Sequence, residues 1–293
     1  MKYKVTHTTT YTYSETVPVC HNKAHVTPRE LPRQDCAYHR LTVRPRPSSF
    51  GRGSDYFGNP VCYFSIHEGH RRMSVTAVSR IEVRPEPPRD AGAAPPWHEV
   101  RQAVAADRSP AGLEIQQFLY DSPAVPISPE LAAYAGEVFT RRLPVLEGVR
   151  QLTQRIHAEF QYDQAATSAQ STVHEVFRLK RGVCQDLAHV QIGCLRALGL
   201  PARYVSGYLR TLPPPGGERL VGADASHAWV AAWCGPLGWI AFDPTNNLEV
   251  GTDHVTLAWG RDYSDVCPIE GVFVGGGQHE LQVSVDVQPL NGP

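Results

Sequence analysis

The strongest constraint on the fold is the run from Arg84 to Pro96 (RPEPPRDAGAAPP), which is too poor in apolar side chains to pack and is stiffened by proline. It separates two hydrophobic periodicities. Upstream, period-two alternation predicts strands over 2–14, 38–44, 60–67 and 73–83, with turn residues such as Phe57-Gly58-Asn59-Pro60 between them. The opening MKYKVTHTTTYTYSETV reads as the first of these strands, with Tyr3, Val5, Tyr11 and Tyr13 on one parity; it lacks the apolar core of a secretory signal. Downstream, apolar residues recur every three or four positions near 110–120, 128–142 and 145–161, which predicts helices. The expected organisation is a β-sandwich-like domain at 1–83, a linker at 84–97 and a second domain at 98–293.

The second domain reads as α+β. A helix is expected after Gly182, where Leu187, Val190, Cys194 and Leu198 share one face before Gly199 and Pro201 end it. Strands follow at 202–210, 226–234 and 238–243, with a final alternation of Leu281, Val283, Val285 and Val287. The 24 Gly and 25 Pro fit a chain rich in strands and turns. Apolar runs fall well short of the ~20 residues that span a bilayer, so no membrane span is expected. With 28 basic and 29 acidic residues there is no summed positive field, and nucleic acid is not an expected partner. Seven cysteines without a CxxC pair suggest neither a disulfide framework nor a zinc ribbon, and point to a reduced, cytoplasmic protein. His67-Glu68-Gly69-His70 and His21-x-x-x-His25 lack companion ligands at metal spacing and read as surface histidines.

Cys184 stands apart from the other cysteines because it begins a helix, where unpaired N–H groups and the macrodipole favour a thiolate. Cys20, Cys36, Cys62 and Cys194 read as structural. A thiolate needs a base and an orienter. Ser226 to Trp233 alternates as a strand, Cys234-Gly235-Pro236 turns, and Leu237 to Asp243 returns. A loop centred on Gly235 would oppose Trp233 to Leu237, Ala231 to Trp239, Trp229 to Ala241 and His227 to Asp243, close enough for the carboxylate to fix the imidazole. Cysteine, histidine and aspartate in this order suit a Cys-His-Asp triad.

These segments resemble the transglutaminase-like superfamily, in its bacterial branch with a β-rich N-terminal domain. The resemblance rests on Phe160-Gln161-Tyr162, Arg181 to His189 (RGVCQDLAH), Leu200 to Tyr208 (LPARYVSGY), Ser226-His227-Ala228-Trp229, Gly238-Trp239 with Asp243-Pro244-Thr245, and Gly260 to Asp265 (GRDYSD). It implies a papain-like core of helices packed on an antiparallel sheet, with Cys184 as nucleophile, His227 as base and acid, and Asp243 as orienter. The implied reaction is acyl transfer on protein or peptide amides through a thioester on Cys184. An amine acceptor such as a lysine side chain gives transamidation; water gives a peptidase or amidase. A non-catalytic peptide-binding scaffold is the reading from another class. The Cys184 N–H is the expected oxyanion donor, with Gln185 or Tyr162 as candidates for a second. Asp186 and His189 fit helix-start and packing roles as well as substrate contact, and Arg261 and Asp262 read as structural. No cofactor is implied, and with no DxDxDG-type loop the calcium dependence of animal transglutaminases does not carry over.

Overall fold

The computed structural model describes residues 1–87, 89, 94–167, 171–211 and 225–290, so residues 88 and 90–93 of the expected linker lie outside the described residues. The upstream alternation forms β1 (Lys2–Val17), β2 (Val19–Ala24), β3 (Gln34–Arg44), β4 (Ser49–Ser54), β5 (Pro60–Ile66) and β6 (His70–Val83). Neither β2 nor β4 was expected. Every residue of β4 is exposed, so no alternation marks it. His25 and His70, expected at the surface, are instead buried. Their ring nitrogens are satisfied internally: His25 bonds the Cys267 carbonyl and Asp55, and His70 bonds the Glu68 carbonyl.

The helical region contains α1 (Trp97–Ala106), α2 (Pro110–Gln116), α3 (Pro129–Gly136), α4 (Val145–Glu159), α5 (Val173–Leu179) and α6 (Cys184–Ala197), with short strands β7 (Gln161–Tyr162) and β8 (Arg181–Gly182) between α4 and α6. The helix expected over 128–142 stops at Gly136, and α1 and α5 went unread. Strands β9 (Ala202–Leu209), β10 (Ala225–Trp233), β11 (Trp239–Asp243), β12 (Leu248–Glu249) and β13 (His254–Gly260) follow. They make a five-stranded antiparallel sheet in the order β12-β11-β10-β9-β13. Helix α6 is buried from Asp186 to Arg196, and Leu187, Val190 and Cys194 join Ala228, Val230 and Ala232 of β10 in one core. Burial at roughly 25 cal/mol per Å2 of apolar surface fixes this helix, and with it Cys184, against the sheet.

The chain then forms α7 (Tyr263–Val266), β14 (Ile269–Val274) and β15 (His279–Pro289). These two strands return to the N-terminal sheets: β14 pairs with β2, and β15 pairs with β1 from Tyr3↔Pro289 to Tyr13↔His279. The sheet orders are β15-β1-β6-β3 and β14-β2-β5-β4. The tail therefore departs from a division that keeps 98–293 together, because alternation marks a strand without naming its neighbour. Tyr3, Val5, Val285 and Val287 pack into the same core as α6 and β10.

The β10–β11 hairpin is also shifted from its expected register. A 3-10 turn at Gly235–Leu237 makes Trp233 oppose Trp239 and Ala231 oppose Ala241, two residues from the expected pairing. His227 pairs instead with Gly207 of β9. An even shift leaves every side chain on its original face, so His227 and Asp243 stay on one side.

At Gly207 an added Cβ would meet the Val255 carbonyl at 2.1 Å and Trp229 Cη2 at 2.4 Å. Gly207→Ala should therefore cost about 1–3 kcal/mol through overpacking and lower Tm by several degrees in a circular-dichroism melt. An unchanged Tm would show that the indole does not press on this strand.

Candidate functional site

Local hydrogen bonds at the start of α6 set the position of Cys184. Val183 N–H donates to Asp186 Oδ2 at 2.9 Å, and Thr167 Oγ1 donates to the same oxygen at 2.6 Å. A Cβ on Gly182 would fall 2.6 Å from that oxygen, so the approach needs glycine. The N–H groups of Asp186 and Leu187 both bond the Val183 carbonyl, which leaves the Cys184 and Gln185 N–H groups ahead of the first turn's bonds. Cys184 itself is partly exposed. Tyr162, exposed at the surface, pairs in β7 with Gly182 and so lies near the mouth of the site.

His227 comes from β10 and is 8% exposed. Its Nε2 hydrogen-bonds Asp243 Oδ2 at 2.7 Å, and Cys184 lies near enough to the imidazole to bear on its charge. With Nε2 held by the carboxylate, Nδ1 is the nitrogen left for sulfur. Burial by itself would lower the His227 pKa, but the hydrogen bonds and negative charge of Asp243 and Cys184 outweigh it and push it up to about 10.

Asp243 ends β11 and is fully buried. Its Oδ1 accepts from the N–H groups of Thr245 (2.9 Å) and Asn246 (3.2 Å). Its Oδ2 accepts from His227, from Asn246 Nδ2 at 2.7 Å and from His254 Nε2 at 3.2 Å. Burial would raise its pKa, yet the donors of His227, His254 and Asn246 hold it well below the usual carboxylate range. Pro244 ends the strand, and the tight turn after it supplies the two backbone donors.

Of the three expected site residues, His227 and Asp243 are in direct hydrogen-bond contact, with Cys184 beside the imidazole; Asn246 and His254, not expected there, also contact Asp243. Asn246 carried a signal, since an Asx-type turn after Asp243 would place it beside the carboxylate. His254 carried none: β13 is at the opposite end of the sheet order from β11 and β12. The two sides meet across Gly207 of β9, where the Trp229 and His254 rings lie 5.2 Å apart, edge to face. Among the described residues, His227, Asp243 and His254 form a group whose ligand atoms lie within 4.8 Å of one another and which could hold a metal ion. Here both imidazoles and Asn246 instead hydrogen-bond one carboxylate oxygen.

The other candidates have local contacts. Asp186 caps the helix, and buried His189 accepts from Tyr263 N–H at 3.2 Å with its ring 5.1 Å from Tyr204. Asp262 caps α7 and also accepts from Ala124 N–H, while Arg261 pairs with Asp265.

Comparison with known proteins agrees with this layout. The bacterial transglutaminase-like N-terminal region matches residues 3–82, and the transglutaminase-like superfamily core matches residues 132–244. An uncharacterised protein of Mycobacterium tuberculosis is 38% identical over 99% of this chain and 94% of its own length. A protein-glutamine gamma-glutamyltransferase of Pseudomonas aeruginosa is 35% identical over 48% of this chain, which is 22% of that protein. In fold, the chain is similar to a candidate cysteine protease of Cytophaga hutchinsonii, with TM-score 0.78 and 23% identity over 100% of this chain and 92% of that one. The chain belongs to the transglutaminase-like superfamily, with the N-terminal region of its bacterial branch ahead of the core.

Proposed function

We propose that the protein is a cysteine-dependent acyltransferase acting on protein or peptide amides, with glutamine carboxamides as acyl donors and a primary amine as acceptor. The observation that carries this is the buried Asp243–His227 hydrogen bond, with Cys184 beside the imidazole at the N-terminus of α6. The relative named a glutamine gamma-glutamyltransferase, similar over about half the chain, supports glutamine as donor. All seven cysteines are free, which supports a reducing, cytoplasmic setting.

In this mechanism the Cys184 thiolate attacks the carboxamide carbon, and the carbonyl oxygen takes the negative charge. The Cys184 and Gln185 N–H groups and the positive end of α6 stabilise that oxyanion. As the C–N bond breaks, the His227 imidazolium gives its proton to the departing ammonia, leaving a thioester. The acceptor amine then attacks the thioester carbon and passes a proton to His227; the C–S bond breaks and the thiolate returns. Asp243 keeps His227 oriented and stabilises its charged form throughout. The partly exposed sulfur leaves room for a peptide segment to reach it.

Incubation with a glutamine peptide and a primary amine, read by mass spectrometry, is expected to give the amine conjugate with loss of ammonia, and Cys184→Ala to give none. Free glutamate product alone would make the protein an amidase, and full turnover by Cys184→Ala would reject the thioester. Asp243→Asn should lower kcat by roughly 10^2–10^4-fold with little change in KM, because a neutral amide fixes the wrong tautomer. His254→Phe removes one of the donors to Asp243, so the carboxylate should take up a proton at higher pH. Its acid limb in the pH–rate profile should move upward with a smaller loss, about tenfold, at neutral pH. An unmoved acid limb would separate His254 from the reaction.

A further inference from the structure

On the face of the sheet turned away from α6, a cavity of about 370 Å3 lies between β9–β11 and the N-terminal segments around Arg33 and Glu86. That volume is in the range of ~300–1,000 Å3 typical of small-molecule sites. Trp229, Trp239 and Trp259 supply aromatic walls, and Arg203 of β9 supplies a cation. The Arg203 guanidinium lies over Trp259 at 3.8 Å and over Trp239 at 4.4 Å. With its faces against indoles, its N–H donors point edgewise, and Arg203 also lines the neighbouring cavity of about 450 Å3 that shares the same two tryptophans.

The charges around the cavity do not balance. Arg33 pairs with Glu86 at 3.7 Å, and Arg89 pairs with Glu86 and with Glu249 at 2.6 Å. Arg203 has no carboxylate partner among the described residues, and its Nε is buried without a hydrogen bond. Burial and the charge of nearby Arg29 push its pKa down to about 9. A half-buried guanidinium whose Nε lacks an acceptor is costly, and a ligand that supplies an anion relieves that cost.

We propose that this cavity binds a small monocarboxylate with an apolar or aromatic body, its carboxylate on the edge of Arg203 and its body against the tryptophans. Planar carboxylates match the guanidinium fork. The apolar walls and the rim carboxylates of Glu86 and Glu249 disfavour a doubly charged, strongly hydrated anion such as phosphate. Cys184, His227 and Asp243 do not line this cavity, although its wall residue Trp229 lies with its ring 6.2 Å from that of His227.

Titration calorimetry on the full chain with phenylacetate, phenylacetamide and inorganic phosphate tests this assignment. Phenylacetate is expected to saturate and to bind at least about tenfold more tightly than either comparison compound. Arg203→Gln should abolish that preference, with folding checked by circular dichroism; if the variant does not fold, the acid-against-amide comparison on the wild type decides. No saturation by phenylacetate up to about 10 mM, equal binding of acid and amide, tighter binding of phosphate, or an undiminished preference in folded Arg203→Gln would each overturn the proposal.

Discussion

The buried carboxylate of Asp243 is the interaction on which the rest of the site depends. An unpaired charge at this depth would cost several kcal/mol, so the fold must bring donors to it. They come from three places: the turn at Thr245 and Asn246, His227 on β10, and His254 on β13. Because β13 lies at the opposite end of the sheet from β11 and β12, the site needs the whole sheet assembled, and needs Gly207 where Trp229 and His254 converge. The ionised carboxylate in turn keeps His227 positively charged beside Cys184.

The N-terminal sheets brace this arrangement. Tyr3 of β1 donates its hydroxyl to Asp253 at 2.8 Å, next to His254, and His7 shares a 2.8 Å hydrogen bond with Tyr208 of β9. The last strand, β15, pairs along β1 and sends Val285 and Val287 into the core that holds α6. Strands from both ends of the chain thus back the edge of the sheet that carries His254. A β-rich region ahead of a cysteine-centred core acts here as a structural support that reaches the site through hydrogen bonds and shared apolar packing.

Much of this was legible in the sequence where local physics decides. The alternation of β1 and β6, the three- and four-residue spacing of α6, and the placement of Cys184 at a helix start all follow from period and capping. His227 and Asp243 were brought together from a hairpin whose register was wrong by two residues; the parity of a strand protected the conclusion from the error. What escaped depends on distant neighbours. Nothing near His254 signals that it meets Asp243, and nothing in β15 names β1 as its partner. The buried His25 was unreadable because its partners, Asp55 and the Cys267 carbonyl, come from distant loops, whereas His70 is covered by other strands while bonding the nearby Glu68 carbonyl.

The central claim is that Cys184 and His227 form an ion pair stabilised by Asp243. The most direct measurement is the rate of iodoacetamide alkylation at each of the seven cysteines against pH, by peptide mass spectrometry, in the wild type and in His227→Ala. The account expects Cys184 alone to label fast at neutral pH, and to lose that reactivity without His227. Labelling of Cys184 that rises with pH like a free thiol, or that is unchanged in His227→Ala, would contradict it.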